Sequence, residues 1–259
     1  MSTINDKSIV EKQYENTKNL NTRISIHDKY SVNKQGFGNW LASHYQITEG
    51  MRVLELGCGT GDTWKSHGGL VNKCAELVLT DISEGMIEAA RNNLKGFDNI
   101  TYRVVDIQDI PFASNSFNIV IANMMLYHVP DLSKGLAEVK RVLRNGGRFH
   151  CATYGENGII KYIAELLKPY GATDTTNKNF TLQNGRQILS QYFSEIDMRE
   201  YIDSLAVTNV DDMVDYLASL TGMTSISGID RATVKSVLEK HTVDGVLSVP
   251  KEYGTFICR

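Results

Sequence analysis

The stretch Val53-Leu54-Glu55-Leu56-Gly57-Cys58-Gly59-Thr60-Gly61 constrains this chain more than any other. A short apolar run reads as a buried strand. Glycine at every second position then reads as a tight turn where a ligand lies against bare backbone. A second apolar run, Leu77-Val78-Leu79-Thr80, ends in Asp81, twenty residues after Gly61. A glycine turn after one strand and a carboxylate at the tip of the next predict a nucleoside site in a doubly wound parallel sheet.

The spacing and charge of the turn narrow the nucleoside. Dinucleotide sites use G-x-G-x-x-G, with helix-terminal amides facing a pyrophosphate. Here the spacing is G-x-G-x-G, and Asp62 stands where the third dinucleotide glycine would be. A carboxylate there repels a pyrophosphate, and Glu55 adds a second negative charge near the turn. The ligand is therefore expected to be cationic and free of phosphate. S-adenosylmethionine has those properties: a sulfonium, an α-amino group, a ribose diol and an adenine.

Short strands rich in Val, Ile or Leu recur over Arg52–Leu56, Glu76–Asp81, Thr101–Asp106, Asn118–Asn123 and Arg148–Thr153, as in strands covered on both faces. Helical periodicity separates them, over Ser83–Leu94 with Ser83 as N-cap, and over Leu132–Leu143, where Asn145-Gly146-Gly147 reads as a helix stop. Before the first strand, helices are expected over Ser8–Lys18 and Gly36–Tyr45. After Tyr154 they are expected over Ile159–Leu167, Leu182–Phe193, Val210–Leu220 and Ile229–His241. Gly171–Asn179 reads as a loop, and Met198–Val207 and Tyr253–Cys258 as strands. Strand–helix alternation implies a parallel sheet with right-handed crossovers.

Composition excludes several classes. Apolar content of 42% and charged content of 22% are ordinary for a globular domain. No apolar run approaches the ~20 residues of a membrane span. Met1–Asn21 is polar and lacks a signal core, so a cytoplasmic location without membrane attachment is expected. A net charge of −3 argues against a large nucleic-acid footprint. The four cysteines, Cys58, Cys74, Cys151 and Cys258, form no C-x-x-C pair and indicate no metal site. They read as small buried hydrophobes, with Cys58 packed under the ligand.

From Glu55 to Gly61 the chain matches acidic-x-G-x-G-x-G at every fixed position, and it resembles the class I S-adenosylmethionine-dependent methyltransferases, most of all the type 11 branch of small bacterial enzymes. The resemblance is specific over about residues 50–155 and looser elsewhere. It implies an α/β, Rossmann-like doubly wound seven-stranded sheet with an antiparallel last strand. A helical cap over residues 1–48 would precede a binding core at 49–155. An insertion or lid would follow the fifth strand at 156–195, and 196–259 would complete the sheet.

The resemblance also implies site residues. Cofactor contacts are expected from Glu55, Gly57, Cys58, Gly59 and Gly61 at the turn, and from Asp81 at the ribose diol with Ile82 and Met86 against adenine. Asp106 and Ile107 would meet the adenine edge, and Asn123 and Met124 the methionine part. The polar segment Asn19–Asn33 is expected to fold over the cofactor. There Tyr30 would cover the methionine moiety, and Arg23 would meet the cofactor carboxylate or an anionic acceptor. His27, Tyr30 and His128 are the candidate bases, although His128 reads first as a fastener of its loop. Tyr127, Tyr154 and Asn157, with Arg23 and His27, are the candidate acceptor contacts. The expected reaction is in-line methyl transfer to an O, N or C atom of a small molecule, leaving S-adenosylhomocysteine. An RNA methyltransferase and a non-catalytic binder of the same nucleoside are the alternatives. Acceptor and oligomeric state stay open.

Overall fold

The computed structural model describes residues 17–220 and 225–259. In chain order its first elements are α1 (Thr17–Tyr30), α2 (Phe37–Ala42), β1 (Met51–Leu56), α3 (Asp62–Lys65), α4 (Gly68–Val71), β2 (Cys74–Asp81) and α5 (Glu84–Asn93). Next come β3 (Ile100–Val104), β4 (Phe117–Asn123), α6 (Leu132–Val142), β5 (Leu143–Tyr154), α7 (Ile159–Leu166) and α8 (Gly185–Leu189). The chain closes with β6 (Ile196–Tyr201), β7 (Ser204–Val207), α9 (Val210–Ser219), α10 (Arg231–Lys240), β8 (Leu247–Pro250) and β9 (Tyr253–Cys258).

Seven strands form one sheet in the order β3-β2-β1-β4-β5-β9-β6. β1 to β5 are parallel, and β9 runs antiparallel between β5 and β6. The expected seven-stranded, Rossmann-like sheet with an antiparallel last strand is the observed one. Its strands are apolar on both faces because both faces are covered. Val53, Leu77, Leu79, Ile119 and Ile121 pack with Trp64, Leu41 and Tyr45 on one side. Leu54, Val78, Val120 and Phe149 pack with Leu132, Leu136 and Val139 of α6 on the other. β1 pairs with β2 on one side and β4 on the other, so the strand order reverses direction there, and the carboxyl ends of these strands open a crevice.

A third core lies outside the sheet. Ile26 of α1, Ile159 and Ile163 of α7, Leu205 and Val207 of β7, Met213 and Leu217 of α9, Val234 and Leu238 of α10, and Leu247 and Val249 of β8 pack together. Two-stranded pairing of β7 with β8 gives this layer its backbone. The residues from 196 onward therefore do two things: β6 and β9 complete the sheet, while the segment between them builds a helical layer with α1 and α7.

Three local expectations differ from the structure. Met198–Val207 is not one strand: it breaks at Ile202-Asp203, where the Asp203 carboxylate accepts the backbone N–H groups of Asn33 and Ser204 and turns the chain into β7. Asn145-Gly146-Gly147 does not stop a helix. α6 ends at Val142, and the glycines sit inside β5, where its pairing with β4 shifts register. The helix expected over Leu182–Phe193 is confined to α8, because Asn184 first turns back to accept the Thr181 N–H. The helix expected over Ser8–Lys18 lies, up to residue 16, outside the described residues.

Candidate active site

The glycine turn is built as its sequence suggests, but its members have different duties. Gly57, Gly59 and Gly61 all have positive φ, at 72°, 55° and 74°. A Cβ on Gly59 would meet no atom within 4 Å, so this backbone faces open space. A Cβ on Gly61 would lie 2.9 Å from Leu94 Cδ1, so this glycine lets the turn pack on α5. Gly61 does not line the cavity that opens above the turn, in contrast to the expectation; Thr60 and Asp62 do.

That cavity has a volume of about 460 Å³. Its inner half lies at the carboxyl ends of β1, β2 and β4. Asp81 ends β2 with both carboxylate oxygens tethered: Oδ2 accepts the Gly59 N–H at 3.0 Å and Oδ1 the Ser83 N–H at 2.9 Å. Burial raises its pKa against those N–H bonds. The cap of α5 is Ser83, whose hydroxyl accepts the Met86 N–H, so Asp81 is left to face the cavity with Ile82 and Met86. Asp106 and Ile107 line the next wall. Gln108, absent from the expected set, lines it too and bonds Asp106 through both its backbone and side-chain nitrogens. Gly57, Cys58, Asn123 and Met124 complete this half. Met124 has φ of 54°, unusual for a side-chain-bearing residue and the sort of local strain found where a backbone is aimed at a site.

Glu55 is placed differently from the expectation. It is only 4% exposed, lies beneath the turn, does not line the cavity, and accepts a 2.5 Å bond from Trp64 Nε1. Burial, with a smaller push from Asp81, raises its pKa to about 7. It supports the turn from below and carries only part of a charge at neutral pH. The negative charge beside the turn therefore comes from Asp62, Asp81 and Asp106, which line the inner half, where no Lys or Arg is found among the described lining residues.

The outer half is gathered from distant segments. α1 contributes Arg23, Ile24 and His27; the turn after β4 contributes Tyr127 and His128; Tyr154 ends β5. Ile159 and Ile160 of α7, Tyr216 of α9, and the corner residues Glu252 and Tyr253 close it. Arg23 donates from Nη2 to the Ser219 carbonyl at 2.7 Å. Burial, followed by the nearby Arg23 charge, lowers His128 to about 4. Burial, followed by the Lys251 charge and opposed by Asp203, lowers His27 to about 3. Both rings are neutral at pH 7. Burial raises the Cys58 thiol well above its usual range, so it is no nucleophile.

Two expected residues fall outside. Tyr30, read as a cofactor cover and candidate base, points to α9, where its hydroxyl donates to Asp212 Oδ2 at 2.5 Å. Three residues from His27, it sits about 60° around α1, and its bond to Asp212 turns the ring away from the cavity. Asn157 bonds the Glu252 carboxylate through its backbone and Lys161 through its side chain, and does not reach the cavity. Tyr216, Glu252 and Tyr253 were missed. Only for Tyr253 is there a signal: aligning the ends of two antiparallel strands sets it opposite Tyr154.

No described helix is long and apolar enough to cross a membrane. A methyltransferase-domain family matches residues 47–200. A ubiquinone/menaquinone biosynthesis C-methyltransferase (UbiE) of Idiomarina loihiensis is 29% identical over 196 residues, 74% of this chain and 66% of that protein. The UbiE of Haemophilus ducreyi is 35% identical over 127 residues, 48% of this chain and 49% of that protein. The chain thus spans about half the length of the curated relatives it matches. The solved structure of the [4+2]-cyclase SpnF superposes with a TM-score of 0.64 at 17% identity, over 99% of this chain and 96% of that one, a likeness of fold.

Proposed function

Since this chain belongs to the methyltransferase-domain family, we propose that it holds S-adenosylmethionine in the inner half of the cavity and passes the methyl group to a small molecule in the outer half. One observation carries the reading. Open space over Gly59 adjoins a tethered Asp81 carboxylate in a half-cavity whose lining charges are all acidic. A pyrophosphate finds no cation there, whereas a phosphate-free cationic nucleoside does not need one.

The bound nucleoside supplies a methyl group already activated on a sulfonium. The chain's task is alignment and exclusion of water. Asp81 accepts from the two sugar hydroxyls through the lone pairs that Gly59 and Ser83 leave. Ile82 and Met86 flank the base, and Asp106, Ile107 and Gln108 meet its edge. Asn123 and Met124 border the methionine part. Where the acceptor loses a proton, His27 is the neutral group in the outer half that takes it, with His128 the second candidate.

The relatives' name brings a ring carbon of a quinone precursor into range as acceptor. Arg23, His27, Tyr216, Glu252 and Tyr253 lie outside residues 47–200, whereas Tyr127, His128, Tyr154, Ile159 and Ile160 lie within them, so the family match reaches only part of the acceptor wall. A net charge of −3 and a single arginine among the described lining residues disfavour RNA. The cytoplasm is the proposed compartment, from four unpaired cysteines. The test is transfer of radiolabelled methyl from S-adenosylmethionine to a panel of quinols, phenols, amines and total RNA. Label in the organic extract supports the reading. Label confined to RNA, or none despite tight cofactor binding, contradicts it.

A further inference from the structure

Tyr253 is the first residue of β9, in register with Tyr154 of β5 on one side and Tyr201 of β6 on the other. It lines the outer half of the cavity. Its ring is fixed from several directions: Phe37 at 5.3 Å, His27 at 5.8 Å, and Lys251 Nζ at 5.1 Å over the ring. Lys251 is itself buried, with 1% of its side chain exposed, and pairs with the equally buried Asp203 while donating to Ser31 Oγ at 2.9 Å. A buried ion pair adds little net stability over an apolar replacement of the same shape; its best-attested use is to select one arrangement. Here the pair ties the end of α1 to the turns before β7 and β9, and so sets His27 against Tyr253.

The pair's hydrogen bonding is unfinished. Tyr253 Oη and His27 Nε2 are 3.4 Å apart, a long contact, and His27 Nδ1 is buried with no partner among the described residues. Resting on the reading of the cavity given above, we propose that Tyr253 and His27 together recognise a hydroxyl group on the methyl acceptor. A tyrosine hydroxyl donates and accepts, and a neutral imidazole presents one nitrogen of each kind. A hydroxyl also does both, so it completes the pair. An ammonium brings donors only and a carboxylate acceptors only. Lys251 behind the Tyr253 ring and Arg23 one turn earlier on α1 further disfavour a cation, the Glu252 carboxylate of the same wall is engaged by the Asn157 N–H and the Gln183 amide, and burial keeps His27 neutral. Ile159, Ile160 and the Tyr127, Tyr154 and Tyr216 rings supply most of the remaining wall, beside His128 and Glu252, so the frame bearing the hydroxyl is largely apolar.

Tyr253→Phe removes one oxygen and keeps the ring packing. The probes are p-cresol and p-xylene, which differ by a hydroxyl for a methyl, each titrated by NMR into the S-adenosylhomocysteine complex. Wild type should bind p-cresol about tenfold more tightly, the size of one to two net hydrogen bonds. Tyr253→Phe should lose that preference and bind p-xylene and S-adenosylhomocysteine as wild type does. His27→Phe should lose the preference as well, which keeps the test decisive should Tyr253→Phe melt early. Equal affinity of wild type for the two probes, or a preference that survives in both variants, overturns the proposal. Absence of S-adenosylhomocysteine binding to wild type would instead sink the reading of the inner half, and this inference with it.

Discussion

The two halves of the cavity are made in opposite ways. The inner half comes from one stretch of chain, Leu56 to Met124, in which every contributing residue but Met86 of α5 sits at or within a few residues of the end of a short apolar strand. The outer half is collected from α1, the turn after β4, the end of β5, α7, α9 and the start of β9 with Glu252 before it, residues up to 230 positions apart in sequence, Arg23 to Tyr253. The inner half is held by backbone, with the Gly59 and Ser83 N–H groups on the Asp81 carboxylate and strands on both sides. The outer half is held by side chains packing against each other in a core of its own. Cofactor binding on this account belongs to the rigid sheet, and acceptor choice to the layer above it.

The sharpest way to break the division is Gly59→Val. The side chain would enter open space, so no protein atom is displaced, and the positive φ costs about 1–2 kcal/mol of stability. Binding of S-adenosylhomocysteine should disappear while circular dichroism still reports a cooperative fold. Retained binding would mean that the turn does not face the ligand.

The support beneath the inner half and the lining of the outer half titrate in opposite senses. Glu55, raised to about 7 by burial, holds its proton in the folded protein where the unfolded chain has released it, so its contribution is lost as pH rises from 4.5 through 7. His27 and His128, lowered to about 3 and about 4, stay neutral where the unfolded chain takes up protons, so their contribution is lost as pH falls below 6.5. Glu55→Gln should therefore gain on wild type, by on the order of 3 kcal/mol, between pH 4.5 and pH 7 in urea denaturation. Parallel curves for the two proteins would show that Glu55 is not the buried, proton-holding support described here.

Asp81→Ala should weaken S-adenosylhomocysteine by about 1–3 kcal/mol, roughly 5- to 150-fold, because paired polar groups lose their partner. Calorimetry giving unchanged affinity would remove Asp81 from the site. The smallest effect belongs to Tyr30→Phe. With its hydroxyl on Asp212, outside the cavity, this change should leave cofactor affinity and turnover within about twofold, as expected of a surface substitution. A larger loss would return Tyr30 to the active site.

What was legible in the chain follows the same division. Gly57, Gly59, Asp81 and Asp106 are legible because a strand's carboxyl end is a local property: apolar residues stop, and the next polar residue is at the crevice. Tyr30 and His27 lie three residues apart in one helix, and nothing local says which of them turns inward. The partner of each does, Asp212 for one and Tyr253 for the other. Tyr216 and Glu252 carry no pattern of their own: Tyr216 reaches the cavity through the packing of α9 with α1, and Glu252 through the entry of β9 between β5 and β6. At Glu55 the charge implied by the motif is not the charge of the folded protein. A motif position does not reveal that Trp64 lies over it and that water is excluded.

Calorimetric titration of the purified chain with S-adenosylhomocysteine, beside NADH under the same conditions, tests the central claim most directly. Saturable one-to-one binding of the former and no heat from the latter is the predicted result. Binding of NADH with none of S-adenosylhomocysteine would contradict it.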